Sequence, residues 1–309
     1  MVHDVVSGRT LSIVVVAHDM ARELPRTLAT LSPRYQRSID ADDYELVVVD
    51  NGSTEPIDPS ILDGLGVAAR LERLDPAPPS PARAANHGIE LATGELVGLI
   101  VDGARMASPG LLATARLAAR LADRPVVSTL GWHLGPVRHM QAGEAGYDQA
   151  VEDELLAGID WEADGYELFG VSVLNGSSAW GWFEPIAESS ALFLPAAMWA
   201  ELGGLDEAFA LPGGGLVNHD LYLRACSLPG SRLVTLLGEG TFHQYHGGAA
   251  TGVRFGWEEM RDDYIRLKGE PYAAPAVTPL LVGEAPEPVL AHVEDSVRLA
   301  REARARRAR

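Results

Sequence analysis

Two short runs, Ser12-Ile-Val-Val-Val-Ala17 and Glu45-Leu-Val-Val-Val-Asp50, restrict the fold more than any other feature of the chain. They are apolar at every position rather than every second one, which suits strands covered on both faces. Strands of that kind lie in parallel sheets, so the two runs read as neighbours in one. Between them Leu24, Leu28 and Leu31 recur at helical spacing from Arg22 to Leu31, with Pro25 tolerable in a first turn. That makes a βαβ unit. A second helix is predicted over Ala82 to Leu91 with Gly94 as its stop. The strand Glu95-Leu-Val-Gly-Leu-Ile-Val101 follows, then a helical run from Pro109 to Ala122. The expected class is α/β, an open sheet with helices on both faces.

After Pro125 the pattern changes. Trp132, Trp161, Trp180, Trp182 and Trp199 fall between residues 130 and 200 in a stretch rich in Gly and Ser. Aromatic faces stack on sugars and on apolar neighbours alike, and core packing is the plainer reading. From Glu287, Val289, Leu290, Val293, Val297 and Leu299 recur at roughly helical spacing before an arginine-rich end, which predicts a solvated terminal helix. The expected division is 1–125 as one half, 126–255 as the second half of the same domain, and 256–309 as a helical extension.

Net charge narrows the ligands. At −18 the chain repels polyanions, so wholesale binding of nucleic acid is excluded and an anionic small substrate needs a local cation. A single cysteine, Cys226, excludes an internal disulfide framework and a cysteine zinc cluster. Met1-Val-His-Asp-Val-Val-Ser lacks the basic and apolar regions of a signal peptide, and no apolar run reaches the roughly 18 to 20 residues of a membrane span. A cytoplasmic protein without an integral membrane segment is expected.

In an open parallel sheet, ligands bind beyond the carboxyl ends of the strands, where His18-Asp19, Asp50-Asn51-Gly52-Ser53 and Asp102-Gly103 should converge. The glycines of a dinucleotide-binding turn are missing after the first strand, and no Walker lysine loop is present. Thr241-Phe-His-Gln-Tyr-His246-Gly-Gly adds two imidazoles three residues apart. Imidazole with carboxylate oxygen is a ligand set for a divalent ion, although paired histidines are also common as plain loop or core residues.

Five segments together resemble one family. They are Ser12-Ile-Val-Val-Val-Ala-His, Glu45-Leu-Val-Val-Val-Asp-Asn-Gly-Ser-Thr54, Ala82-Arg-Ala-Ala-Asn86-His-Gly88 to Gly94-Glu, Val101-Asp102-Gly and Leu202-Gly-Gly-Leu-Asp-Glu-Ala-Phe209. The chain is similar there, over roughly residues 10 to 255, to the nucleotide-sugar-dependent glycosyltransferases of family 2. The resemblance implies the GT-A fold, a Rossmann-like open mixed sheet. It also implies a nucleotide diphosphate sugar as donor, a saccharide or other hydroxyl acceptor, and a divalent metal, Mn²⁺ or Mg²⁺. Carried over by position, Ala17 and Asp50 would line the nucleobase pocket, Arg83 would lie near base or diphosphate, and Asp102 would be the metal-side carboxylate of an Asp-x-Asp. Arg254 could reach the donor diphosphate by bidentate hydrogen bonds.

Two positions depart from the family pattern. Ala104 stands where the second metal carboxylate is expected, and the resemblance to histidine-using GT-A enzymes implies that a metal would then depend on Asp102 with His246 or His243, of which only one need bind. Asn218 stands where inverting relatives place the base, and an amide cannot take a proton from the acceptor. Either Asp220 is the base or the enzyme retains anomeric configuration and needs no such base; Glu188 is a further acceptor-side candidate, and Asp220 before an apolar run of Leu221 to Cys226 also suits a helix cap. Residues 213 to 220 should face the acceptor. The rivals are a nucleotidyltransferase, which would need a glycine-rich basic loop after the first strand, and a non-catalytic nucleotide-sugar or glycan binding protein.

Overall fold

The structure, a computed structural model, describes residues 10–246 and 256–308. Ten strands form one mixed sheet: β1 (Leu11–Ala17), β2 (Tyr44–Asp50), β3 (Ala68–Arg73), β4 (Leu96–Ile100), β5 (Arg105–Ala107), β6 (Pro125–Leu134), β7 (Ser172–Leu174), β8 (Leu192–Pro195), β9 (Arg232–His243) and β10 (Leu280–Gly283). The order is β10-β9-β6-β8-β4-β1-β2-β3, with β5 on β9 and β7 on β6. The two valine runs are parallel neighbours in register Ala17↔Asp50, and β4 lies parallel on the other side of β1.

Both faces of β1 and β2 are buried, as their uninterrupted apolar sequence requires. Val14, Val16, Val47 and Val49 pack with Ala82, Ala84 and Ala85 of the helix Ala82–Leu91. Ile13, Val15, Leu46 and Val48 pack with Leu24 and Leu28 of the helix Leu24–Thr30 and with Leu111 and Leu112 of the helix Leu111–Ala118. Each fully buried side chain of this size contributes roughly 1.5–3 kcal/mol. Pro25 sits in the first helical turn, where its missing N–H costs nothing.

The Arg-x-x-Asn-x-Gly block is structural in large part. Asn86 Nδ2 donates to the Leu205 carbonyl at 3.0 Å and its Oδ1 accepts the Leu205 N–H at 2.8 Å, which latches the helix to the Gly-Gly-Leu-Asp-Glu segment. A Cβ on Gly88 would run into Val14, and one on Gly94 would stand 2.7 Å from Ser12 N and 2.8 Å from Leu11 C. Backbone cannot move aside as a side chain does. Gly94→Ala is therefore expected to destabilise the protein by about 1–3 kcal/mol, read as a lowered midpoint in urea with little change in slope.

Two elements depart from the sequence pattern, and the buried tryptophans follow it. β3, Ala-Ala-Arg-Leu-Glu-Arg, is an edge strand whose inner residues are half-buried, and its charged alternation hides it from an apolar pattern. The helix expected from Leu221 starts at Val217 and runs to Ser227, so Asp220 lies inside the first turn, its N–H bonded to Leu216 O, and is no cap. Trp132, Trp182 and Trp199 are buried; Trp182 Nε1 donates to Leu236 O and Trp199 Nε1 to Val97 O, so these three serve packing.

The terminal helix spans Glu287–Arg307 and docks on the second half of the sheet. Its His292 receives the Trp132 indole N–H at 3.4 Å and donates to Phe169 O at 2.8 Å. Arg304 and Arg307 close on Glu184, whose side chain is 3% exposed. No helix among the described residues is long and apolar enough to cross a membrane.

Candidate active site

Strand directions bring the chemistry to one edge. β1, β2 and β4 are mutually parallel, β8 runs against both β4 and β6, and β9 is parallel to β6. The carboxyl ends of β1, β2, β4, β6 and β9 therefore open on the same side. Asp102 follows β4 there, and His243 ends β9. Cross-strand register fixes His243 between Arg105 of β5 and His133 of β6.

Asp102 Oδ1 accepts the Ala104 N–H at 2.9 Å, which turns Oδ2 toward the histidines. Oδ2 lies 2.7 Å from His243 Nε2 and 3.5 Å from His246 Nε2, and the two Nε2 atoms are 3.1 Å apart. Edges near 3 Å are what ligands about 2.1 Å from one ion would span at right angles. The three donors thus fit a divalent cation, and both imidazoles converge where only one was required. Ala104 is fully buried in the apolar layer beneath, so that position has no space for a second carboxylate.

Burial opposes ionisation of Asp102, but the imidazole groups of His243 and His246 outweigh it and hold the carboxyl well below its usual range. Burial pushes His243 down to about 4 against the pull of Asp102, which keeps a neutral ring with a lone pair to offer.

Neighbours that no motif marks hold the Thr241–His246 segment. Glu152 Oε2 accepts the Tyr245 N–H at 2.7 Å and the Tyr147 hydroxyl at 3.2 Å, while its Oε1 meets Arg22. Burial, opposed by these partners, raises Glu152 to about 7. Gln244 Nε2 donates to Glu23 O at 3.0 Å. His133 and His139, stacked at 4.2 Å, pack against the His243 ring, and Tyr147 and Tyr245 pack on His139 in turn. A buried glutamate in the helix Gln149–Ala157, which otherwise buries only Leu156, leaves no periodic signal, so only the fold shows it.

On the opposite side of the crevice, Asp50 is 1% exposed. Oδ1 accepts the Ser53 N–H at 2.8 Å and Oδ2 meets Arg73 at 2.5 Å. Burial works against its ionisation; Ser53 and Arg73 prevail and hold it below the ordinary range. Asp50 therefore shapes the Asp50–Thr54 loop from beneath. Ala17 is buried at the end of β1, with the half-exposed His18 and Asp19 beside it. Arg83 is exposed in the first turn of its helix. Arg254 lies outside the described residues.

The acceptor-side candidates separate. Asp220 is 2% exposed and both its oxygens are taken, Oδ1 by Lys268 at 2.8 Å and Oδ2 by Arg224 at 2.7 Å. It ties its helix to the helix Trp257–Lys268. Glu188 precedes β8 at the edge where β4 ends, given the register Leu99↔Leu192. Its Oε1 accepts the Ser177 hydroxyl at 2.7 Å, its Oε2 lies 3.4 Å from His219 Nδ1, and its side chain is 19% exposed. The Gly213–Gly215 turn reaches the loop Asp75-Pro-Ala-Pro-Pro-Ser-Pro81, with Gly213 N–H bonded to Pro79 O.

Comparison with known proteins bears on the fold that carries this site. Residues 12–103 match the model of Glycosyl transferase family 2. Among solved structures, S. aureus TarS aligns at a TM-score of 0.52 and 11% identity over 76% of this chain and 37% of that one. The TarS 1–349 fragment in complex with UDP-GlcNAc aligns at 0.52 and 11% over 84% and 66%. The fragment in complex with UDP aligns at 0.50 and 12% over 76% and 60%. The chain thus spans about a third to two thirds of those proteins, and the shared feature is the GT-A fold. A search of curated proteins gives no match.

Proposed function

We propose that this chain, a family 2 sequence on a GT-A sheet, transfers a sugar from a nucleotide diphosphate sugar to a hydroxyl acceptor. The observation that carries the reading is the Asp102, His243 and His246 triad at the strand-end edge of a sheet whose residues 12–103 match Glycosyl transferase family 2. Residues 1–125 form the donor half and 126–255 the acceptor half. A divalent cation, Mn²⁺ or Mg²⁺, bound by the triad supplies a Lewis acid that neutralises the leaving diphosphate, worth several kcal/mol in the transition state.

The remaining roles belong to the protein's own groups. Ala17 and the Asp50–Thr54 loop, held in shape by Arg73, line the nucleoside pocket, and exposed Arg83 meets the base or diphosphate. Glu188 takes the acceptor proton, because its carboxylate is reachable while Asp220 is locked between two cations. His219 and Ser177 hold Glu188 in place. This reverses the expected ranking of the two carboxylates.

The test of the activity is a panel of UDP, GDP and dTDP sugars with Mn²⁺, reading nucleoside diphosphate release. Release of pyrophosphate instead would mean nucleotidyl transfer, and binding without turnover would mean a binding protein. For the base, Glu188→Gln should lower transfer about 100-fold or more with nucleotide affinity unchanged. Asp220→Asn should chiefly lower the melting temperature, since it strips charge from one side of a buried ion-pair node. If Asp220→Asn instead loses transfer at full stability, the two assignments exchange.

A further inference from the structure

His243 stands between two environments. Its Nε2 faces Asp102 Oδ2 at 2.7 Å and His246 Nε2 at 3.1 Å. Its Nδ1 is buried on the other side with no hydrogen-bond partner, and its ring centre lies 5.2 Å from that of His139 and 5.5 Å from that of His133. His139, 2% exposed, has a buried Nδ1 that is also unpartnered. A buried polar atom without a partner is costly, so two on adjacent rings require a cause.

The tautomers supply it. His139 Nε2 lies 3.1 Å from the Leu134 carbonyl, which only accepts, so Nε2 carries the proton and Nδ1 the lone pair. His133 Nδ1 accepts the His139 backbone N–H at 2.8 Å, so the His133 proton sits on Nε2. Without a cation His243 donates Nε2–H to Asp102, and its Nδ1 is a second bare lone pair beside that of His139. Two acceptors cannot satisfy each other. When Nε2 gives its lone pair to an ion, the His243 proton must reside on Nδ1. The ring stays neutral, with one proton lost at Nε2 and one gained at Nδ1.

We infer that His139 is a positioning residue for the cation site: its Nδ1 accepts the Nδ1–H of His243 and so fixes the tautomer and orientation in which His243 Nε2 can bind the ion. Outer partners of metal-ligating histidines act in this way. One ring nitrogen from each of His133, His139 and His243 lies within 4.8 Å of the others, a spacing that one bridging water spans without turning either ring away from Leu134 O or Asp102. The same spacing would admit a second ion among these three rings. The His133 tautomer argues against it, because Nδ1 is engaged and Nε2 holds its proton.

The inference rests on the divalent-cation reading above, and two measurements on the full chain separate them. The first is titration with Mn²⁺ alone, following the electron paramagnetic resonance of the free ion. The second is long-range ¹H–¹⁵N correlation of the histidine-labelled chain with Mg²⁺ alone. His243 should pass from the Nε2–H to the Nδ1–H tautomer on adding Mg²⁺. His139→Phe, which keeps a flat ring to stack on His133, should weaken Mn²⁺ binding about 10- to 100-fold. His139→Gln, whose amide can donate to Leu134 O and accept from His243, should restore most of it. Mn²⁺ affinity unchanged in His139→Phe overturns the inference and leaves the cation reading intact. No Mn²⁺ binding by the wild type overturns both. A second bound equivalent, or equal losses in Phe and Gln variants that track their melting temperatures, also overturns the role given to His139.

Discussion

Asp102→Asn is expected to lower transfer by about 1,000-fold, some 4 kcal/mol of transition-state stabilisation, while the fold stays intact. The substitution keeps an oxygen for the Ala104 N–H, so the turn after β4 survives. It removes the single full charge among the three donors, leaving two neutral imidazoles and an amide oxygen. Mn²⁺ affinity should collapse in parallel with turnover. The check is a paired measurement of nucleoside diphosphate release and Mn²⁺ binding on wild type and variant, with thermal melting as control. Turnover within tenfold of wild type at unchanged stability would mean that the triad is not the catalytic centre.

The largest structural effect is expected at Trp132. Its indole is fully buried, with Phe169 at 4.8 Å, Trp182 at 5.4 Å and Phe242 at 5.9 Å between ring centres. Its N–H goes to His292 of the terminal helix. Trp132→Ala leaves a cavity among aromatic rings that cannot collapse into it, which costs about 3–5 kcal/mol. At roughly 2–4 °C per kcal/mol the midpoint should fall by about 6–20 °C, seen by calorimetry. Limited proteolysis should then cut the Glu287–Arg307 helix first, because His292 loses one of its two partners. A midpoint within about 2 °C of wild type would show that the aromatic cluster does not hold that helix.

Legibility followed the kind of physics that placed each residue. The valine runs and the helix Ala82–Leu91 are readable because their burial is set by local period, and both faces of β1 and β2 are covered as that period demands; the terminal helix is readable as a helix, but it docks through Val289, Ser296, Ala300 and Ala303 and leaves Leu290 and Val297 exposed. β3 was hidden because an edge strand with Arg and Glu has no apolar signature. Asp102, His243 and His246 were picked out by residue type, yet their convergence depends on the β5, β6 and β9 register, which no spacing reveals. Asp220 illustrates the opposite failure. A carboxylate beside a missing base looks chemically ready until Lys268, 48 positions later, is found on one oxygen. His139 and Glu152 belong to segments with no motif, and they matter only through what they touch.

β9 is long, interior and late in the chain. During synthesis the strands β1 to β4 leave the ribosome complete, so the half proposed to hold the nucleotide has its neighbours early. Asp102 emerges with them and waits some 140 residues for its imidazoles, at a translation speed of about 5–20 residues per second. A nascent or prematurely stopped chain that ends before β9 therefore carries the carboxylate without the ion-binding pair, and chemical competence arrives only when one strand adds beside β6, before β10 is made.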